Sequence, residues 1–265
     1  MLLIQIVVLA IVQGITEFLP ISSSGHLVLT SHVLGWPDQG IYIDIAVHAG
    51  TLLAVIVYFW RDLWEMTLGA LGIFTGRRDP SQRLILCLAI ATVPVVLAGY
   101  FGIHYIKDVL RSVEVIAWTT LIFGILLWIV DRLCMTVRRL EHMSYAGALL
   151  VGLSQILALL PGTSRSGITM TACRFLGMER REAARFSLLL SIPTILGAAL
   201  LAGLEIYKSG DLTLRLDAAI AAAIAFVTAL AAIAIMMRWL MHATFTPFVI
   251  YRVLLGIGLI YWVYS

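Results

Sequence analysis

Apolar residues run along this chain in stretches too long and too uniform for soluble helices, and two short polar loops interrupt them. A membrane helix needs roughly 20 apolar residues, with about 17–25 usual. Six stretches meet that need, at about 44–60, 84–102, 115–131, 183–203, 216–237 and 246–263. The first and third are short and reach only if the flanking Asp44, Arg61 and Asp131 snorkel to the interface. Two further apolar regions, about 2–35 and 144–178, are each long enough for two half-helices but are cut near the centre. The first cut reads Pro20-Ile21-Ser22-Ser23-Ser24-Gly25-His26 and the second Pro161-Gly162-Thr163-Ser164-Arg165-Ser166-Gly167. Proline cannot continue a helix, and lipid tolerates irregular backbone only where protein buries it or a cavity bathes it. Both regions are therefore expected to be re-entrant hairpins with their tips near the middle of the bilayer.

The two prolines lie 141 residues apart, slightly over half of the 265-residue chain. Placing the N-terminus outside and returning each hairpin to its own side puts twelve arginines on one face: 61, 77, 78, 83, 132, 138, 139, 174, 180, 181, 185 and 238. The other face receives Lys107, Arg111, Lys208 and Arg215, and Arg165 and Arg252 stay inside. Positive charge marks the cytoplasmic side. Both termini are then external, hairpin one enters from outside and hairpin two from inside. The expected fold is an all-α polytopic membrane protein, six spanning helices plus two re-entrant helical hairpins in an inverted-topology repeat. It forms a single domain over 1–265, with halves at about 1–131 and 132–265. Broken segments at matching places in inverted halves mark a binding site.

Composition agrees: 61% of residues are hydrophobic and 12% charged, against roughly 25% charged in soluble domains. The net charge of +3 gives no reason to expect nucleic acid as a partner. Cys87, Cys134 and Cys173 have no paired spacing and read as small apolar residues. The apolar N-terminus lacks a basic leader pattern, so residues 1–19 are expected to belong to the fold.

Ionisable side chains at membrane depth are costly, and Glu17, His26, Arg165 and Arg252 qualify. Gln13 and Glu17 share a helix face, as do Ser23 and His26, and Pro20 turns the chain between the pairs. An acid, an amide, a hydroxyl and an imidazole can thus meet around one point. Ser22, Ser23, Ser24 and Gly25 open one half-helix, and Ser164, Arg165, Ser166 and Gly167 open the other. Helix N-termini offer unpaired N–H groups and partial positive charge, and Arg165 adds a forked donor suited to phosphate. The expected ligand is a phosphate or diphosphate. Glu17 either holds a divalent cation, magnesium or calcium, with Gln13 as a further oxygen ligand, or orients His26. Arg252 and the arginine pairs at 77–78 and 180–181 read first as structural and topological charges.

The segment from Gln13 to His26 closely resembles the first signature of the bacterial undecaprenyl-diphosphate phosphatases, the bacitracin-resistance family. Pro161 to Gly167, with Thr169, looks like the second, and His48–Ala54 and Pro247–Arg252 match further segments. The resemblance implies a membrane enzyme of the bacterial inner membrane that removes the terminal phosphate of undecaprenyl diphosphate, recycling a cell-wall carrier. By position it implies Glu17, Ser23, His26 and Arg165 as the catalytic set, Ser164 and Thr169 near the phosphates, and a divalent cation. Some members carry a glutamate where this chain has Gln13, which weakens any mechanism that demands two carboxylates. The nucleophile stays open between Ser23, His26 and water, with His26 as general base. The expected partners are the lipid diphosphate and the bilayer, with a homodimer left open.

Two competitors share features. A secondary transporter or flippase for a phosphorylated lipid has inverted repeats and midplane half-helices, but does not need Ser, His, Glu and Arg on one phosphate. Vanadate-type lipid phosphatases need a His and an Asp where this chain has Thr171 and Phe175, which excludes them.

Overall fold

The computed structural model of the chain describes residues 2–36, 40–74, 79–109, 112–209 and 212–265. Arg77, Arg78 and Arg111, which entered the topology count, lie outside the described residues. The described chain is helical: α1 (Leu3–Thr16), α2 (Ser23–Leu34), α3 (Gly40–Tyr58), α4 (Trp60–Phe74), α5 (Pro80–Val109), α6 (Val113–Leu133), α7 (Tyr145–Ile156), α8 (Arg165–Phe175), α9 (Arg180–Ser209), α10 (Leu212–Trp239) and α11 (Thr246–Tyr264). A short 3-10 turn, Leu157–Leu159, extends α7. Each region expected to be a hairpin is thus two short helices around its polar loop, α1 with α2 and α7 with α8.

Among the described residues four segments are long and apolar enough to cross a membrane: Pro80–Gly102, Val113–Leu133, Leu214–Trp239 and Thr246–Tyr264. The pair Tyr42–Tyr58 and Trp60–Gly72, bent by 76°, makes a fifth if taken as one broken span. The expected stretch 183–203 falls inside α9. Large apolar side chains such as Val96, Tyr100, Ile235 and Leu254 stand exposed on the outer faces of α5, α10 and α11. A water-soluble monomer rarely exposes so much oily surface, whereas a bilayer covers it.

Helices in lipid gain little from hydrophobicity and associate where small residues let backbones approach. A methyl group on Gly50 of α3 would stand 2.1 Å from the Ala222 carbonyl oxygen of α10, and one on Gly152 of α7 would stand 2.6 Å from that of Ala91 on α5. Larger side chains at either glycine would wedge these crossings apart. The main core is built from Phe18, Leu127, Met170, Phe186, Ile233 and Phe245 among others, with a smaller cluster of Val47, Ala218 and Ala221 beside the Gly50 crossing.

Asp131 does not snorkel. It is buried and accepts from Nε of the fully buried Arg174 at 2.9 Å and from Nε of Arg180 at 2.8 Å. Arg174 also donates to the carbonyls of Met135, Cys134 and Met178. Two arginines read from sequence as topology signals therefore knot the end of α6 to α8 and α9. A buried carboxylate needs such partners, because losing one partner of a buried pair costs about 3–5 kcal/mol.

Candidate active site

The two loops have the same backbone. Ser22 has φ 73° and Ser164 has φ 70°, the only positive-φ residues other than glycine among those described. Each is an N-cap: the Ser22 hydroxyl accepts from the Gly25 amide at 3.4 Å, and that of Ser164 from the Gly167 amide at 3.1 Å. Ser22 and Ser164 stand 142 residues apart, and the same offset pairs Ser23 with Arg165, Ser24 with Ser166, and Gly25 with Gly167. Ser23 and Arg165 are the first residues of α2 and α8. The caps use the third amide of each half-helix, which leaves the first two at each end as N-terminal donors.

The tips touch. Ser166 donates to the Leu19 carbonyl at 2.9 Å, and a methyl on Gly25 would stand 3.8 Å from Gly162 Cα. Arg165 Nη2 reaches across to Glu17 Oε1 at 2.9 Å. The other oxygen of Glu17 accepts from Ser23 Oγ at 2.6 Å and from Gln13 Nε2 at 2.9 Å. Burial explains the clustering, since the Glu17 side chain is only 6% exposed and its charge needs every donor the loops supply. Three buried polar atoms here have no partner among the described residues: Arg165 Nη1, Gln13 Oε1 and Thr163 Oγ1. Native proteins rarely leave such atoms unsatisfied, and those that do usually await a ligand, an ion or water.

A cavity of about 360 Å³ opens against this cluster, lined by Glu17, Ser22, Ser23, Ser24, Asp44, His48, Ala158, Ser164, Arg165 and Thr194 among others. Larger cavities of about 660 and 600 Å³ lie against α4 and α5, and neither touches a loop. Size does not pick the site here; the converging polar groups do.

Gln13, Glu17, Ser23 and Arg165 therefore meet as expected, and Ser22, Ser24 and Ser164 line the same space. His26 does not join them. Its Nδ1 lies 2.6 Å from the Ser22 carbonyl, which can only accept, so that nitrogen carries the proton and Nε2 faces the Tyr251 hydroxyl at 2.5 Å. The imidazole beside Glu17 is His48, with Nε2 3.7 Å from Oε2 and Nδ1 held 2.6 Å from the Asp44 carbonyl. Thr169 and Ser166 also turn away from the cavity. Thr169 is fully buried, bonding the Arg165 carbonyl at 2.9 Å and Ser187 Oγ at 2.6 Å, so it pins α8 to α9. Gly25 and Gly167 serve the caps. Sequence reasoning read Asp44 as an interfacial charge and placed His48 and Tyr251 within family-like segments, but assigned none of them to the site; the usable signal was that His48 sits four residues after Asp44 on one helix.

The family model of the bacitracin resistance protein BacA matches residues 6–258. The chain belongs to this family. It is 52% identical over 267 aligned positions to undecaprenyl-diphosphatase 1 of Rhodospirillum rubrum, covering 98% of this chain and 95% of that one. It is 51% identical to an undecaprenyl-diphosphatase of Jannaschia sp. and 49% identical to one of Ruegeria pomeroyi, with full coverage of both chains in each case. In this BacA-family chain both long motifs thus fall inside the matched region, at the touching tips.

Proposed function

We propose that this BacA-family protein is an undecaprenyl-diphosphate phosphatase, hydrolysing the lipid diphosphate to undecaprenyl phosphate and inorganic phosphate in the bacterial inner membrane. The observation that carries the reading is the pair of groups on Glu17: a serine hydroxyl 2.6 Å from one carboxylate oxygen and, on the other, an arginine whose second nitrogen is a buried free donor. That is a nucleophile against a base, with an anion clamp beside it.

In this mechanism Arg165 Nη1 and the N-terminal amides of α2 and α8 bind the terminal phosphoryl group. Ser23 Oγ attacks phosphorus in line and its proton passes to Glu17 Oε2. The bridging P–O bond breaks and the electron pair leaves with the lipid phosphate. Glu17 passes its proton on to the departing lipid phosphate and then takes one from water as that water attacks the phosphoserine; the P–O bond to Ser23 breaks, inorganic phosphate leaves, and Glu17 returns the proton to the Ser23 oxygen. Glu17 replaces His26 as the base at Ser23, because the carboxylate already holds that hydroxyl's hydrogen bond.

Among the described residues no three His, Cys, Asp or Glu side chains cluster to hold a metal. A divalent cation fits as a guest shared with the diphosphate: Glu17 and the orphaned Oε1 of Gln13 would hold it, and it would draw charge off the phosphoryl oxygens.

The reading includes six spans, α3, α5, α6, α9, α10 and α11, with the two loop-centred pairs re-entrant in inverted halves at about 1–131 and 132–265. The repeated strained serine caps support the repeat, and the arginine bias supports a cavity opening to the outer face with both termini outside. A transporter or flippase of the same architecture would leave the Ser23–Glu17 contact without a purpose. The deciding measurement is phosphate release from undecaprenyl diphosphate by the purified protein, with capture of a phosphoserine at residue 23. Absence of release from a folded preparation would remove the phosphatase reading.

A further inference from the structure

Arg252 of α11 is fully buried, and among the described residues no carboxylate pairs with it. A lone buried charge of this kind is expensive, so its hydrogen bonds carry the explanation. They go to backbone carbonyls alone. Nε donates to Thr120 of α6 at 3.1 Å and Nη2 to Thr119 at 3.5 Å. Nη1 donates to Pro20 at 3.4 Å, and Nη2 donates to Gly162 at 3.1 Å and Thr163 at 3.0 Å. Pro20 and Gly162 are equivalent positions under the 142-residue offset that relates the two serine caps. One guanidinium therefore spans the matching carbonyl of both tips.

Its surroundings are shaped for this. A methyl on Gly124 would stand 3.0 Å from Arg252 Cβ, and one on Gly167 would stand 2.9 Å from Nη1. Thr119 and Thr120 hold the same second loop, donating to the carbonyls of Pro161 at 2.6 Å and Gly162 at 3.3 Å. The fork, the space for it and its acceptors converge at the joint between the tips.

We infer that Arg252 is a positioning residue for the phosphatase reaction, and the inference rests on that reading. It sets the register between hairpin tips so that Ser23 on one and Arg165 on the other address a single diphosphate. The Glu17–Arg165 and Ser166–Leu19 contacts each join a single pair of atoms, whereas Arg252 ties carbonyls of both loops and of α6 into one frame. A lysine keeps the charge but has one nitrogen on a flexible stem and cannot bridge both carbonyls as a planar fork does.

The test uses the full-length protein in detergent, with farnesyl diphosphate as a soluble substrate and inorganic pyrophosphate as inhibitor. Misplacement of reacting groups by about 1 Å costs about a hundredfold in rate. Arg252→Lys is expected to lower kcat by that order and to weaken pyrophosphate inhibition about tenfold, measured on the folded, monodisperse fraction. Gly124→Ala pushes on the same side chain without touching either tip, and should shift both quantities in the same direction by a smaller factor. Combined, the two should lose less than the product of their separate effects, because both act on one group. A purely structural arginine would lower yield and thermal midpoint while kcat and the pyrophosphate constant of the surviving fraction stayed within about twofold of wild type; that result overturns the assignment. If Arg252→Lys does not fold, Gly124→Ala decides alone by the same two readouts. Wild-type protein that neither hydrolyses farnesyl diphosphate nor binds pyrophosphate would instead sink the phosphatase reading.

Discussion

Replacing Arg165 with alanine separates catalysis from folding at this site. The side chain is 17% exposed, donates through Nη2 to Glu17 at 2.9 Å, and leaves Nη1 free. Removing one preorganised donor from a developing oxyanion costs about 2.7–4 kcal/mol, or a factor of about 10²–10³ in rate. The fold should lose less than this. Deleting one partner of a buried pair commonly costs about 3–5 kcal/mol, but Glu17 keeps its bonds from Ser23 at 2.6 Å and Gln13 at 2.9 Å. Each such charged hydrogen bond offsets about 1.5–3 kcal/mol, so a stability loss of about 1–2 kcal/mol is expected. The assay is phosphate release from undecaprenyl diphosphate in detergent micelles beside a thermal melt of the same sample. Arg165→Lys should recover part of the rate, since a point charge cannot hold Glu17 and phosphate as a fork does. A folded Arg165→Ala protein that retained more than about a third of the wild-type rate would refute the clamp, because no lost donor of the size above leaves so much activity.

Three further outcomes follow from the same geometry. Glu17→Gln keeps the size of the side chain but cannot take the Ser23 proton, so turnover should fall by about 10²–10⁴; chelator should also silence the wild type, with magnesium or calcium restoring it, and a fully active Glu17→Gln protein in chelator would contradict both the base and the cation. Ser23→Ala should abolish both turnover and the phosphoserine captured by rapid acid quench; a clearly active alanine variant would hand the attack to water. In a cysteine-free background, a membrane-impermeant thiol reagent applied to intact cells should label Ser24→Cys and Ser265→Cys but not Val137→Cys, all three positions being exposed; the reverse pattern would invert the topology.

The loops were legible because their chemistry is local. Proline, a hydroxyl run and a glycine specify a broken helix and a cap within seven residues, and nothing distant is needed to read Pro20–His26 or Pro161–Gly167 that way. Glu17 and Arg165 stood out because an ionised side chain is costly in lipid, and Gln13 and Ser23 because local spacing sets them beside the first loop. His26 was misplaced because helical spacing shows which face a side chain shares with Ser23, not which neighbour reaches it first. Tyr251 lies 225 residues away and takes its Nε2. Asp131 was read as an interfacial charge because Arg174 and Arg180 become its partners only when α8 folds back on α6. The 76° bend at Phe59 starts a separate helix, α4, carrying Trp60, Arg61, Asp62 and Glu65; a search for uninterrupted apolar stretches stops at about 60 and passes over it.

The strained serines offer a sharper test of whether this geometry exists for chemistry or for stability. Ser22 and Ser164 hold φ near +70°, with ψ 92° and 112°, where a β-carbon is crowded and the backbone costs about 1–3 kcal/mol per residue. Glycine would relieve that strain. Against the relief stand about 0.5–1 kcal/mol of added chain entropy in the unfolded state and a few tenths for the weaker cap. The net expectation is a protein roughly unchanged or stabilised by up to about 2 kcal/mol. Ser22→Gly should gain more than Ser164→Gly, because its cap bond is 3.4 Å long against 3.1 Å, and its contact with Ser24 is 3.4 Å against 3.1 Å for Ser164 with Ser166. Activity should move the other way, since both hydroxyls line the cavity beside Ser23 and Arg165. Higher thermal midpoints with slower turnover would mean the strain is kept for catalysis, the usual trade at a functional site. Midpoints that fell together with activity would show the hydroxyls to be structural caps, needed to hold the half-helix amides in place and not for the chemistry itself.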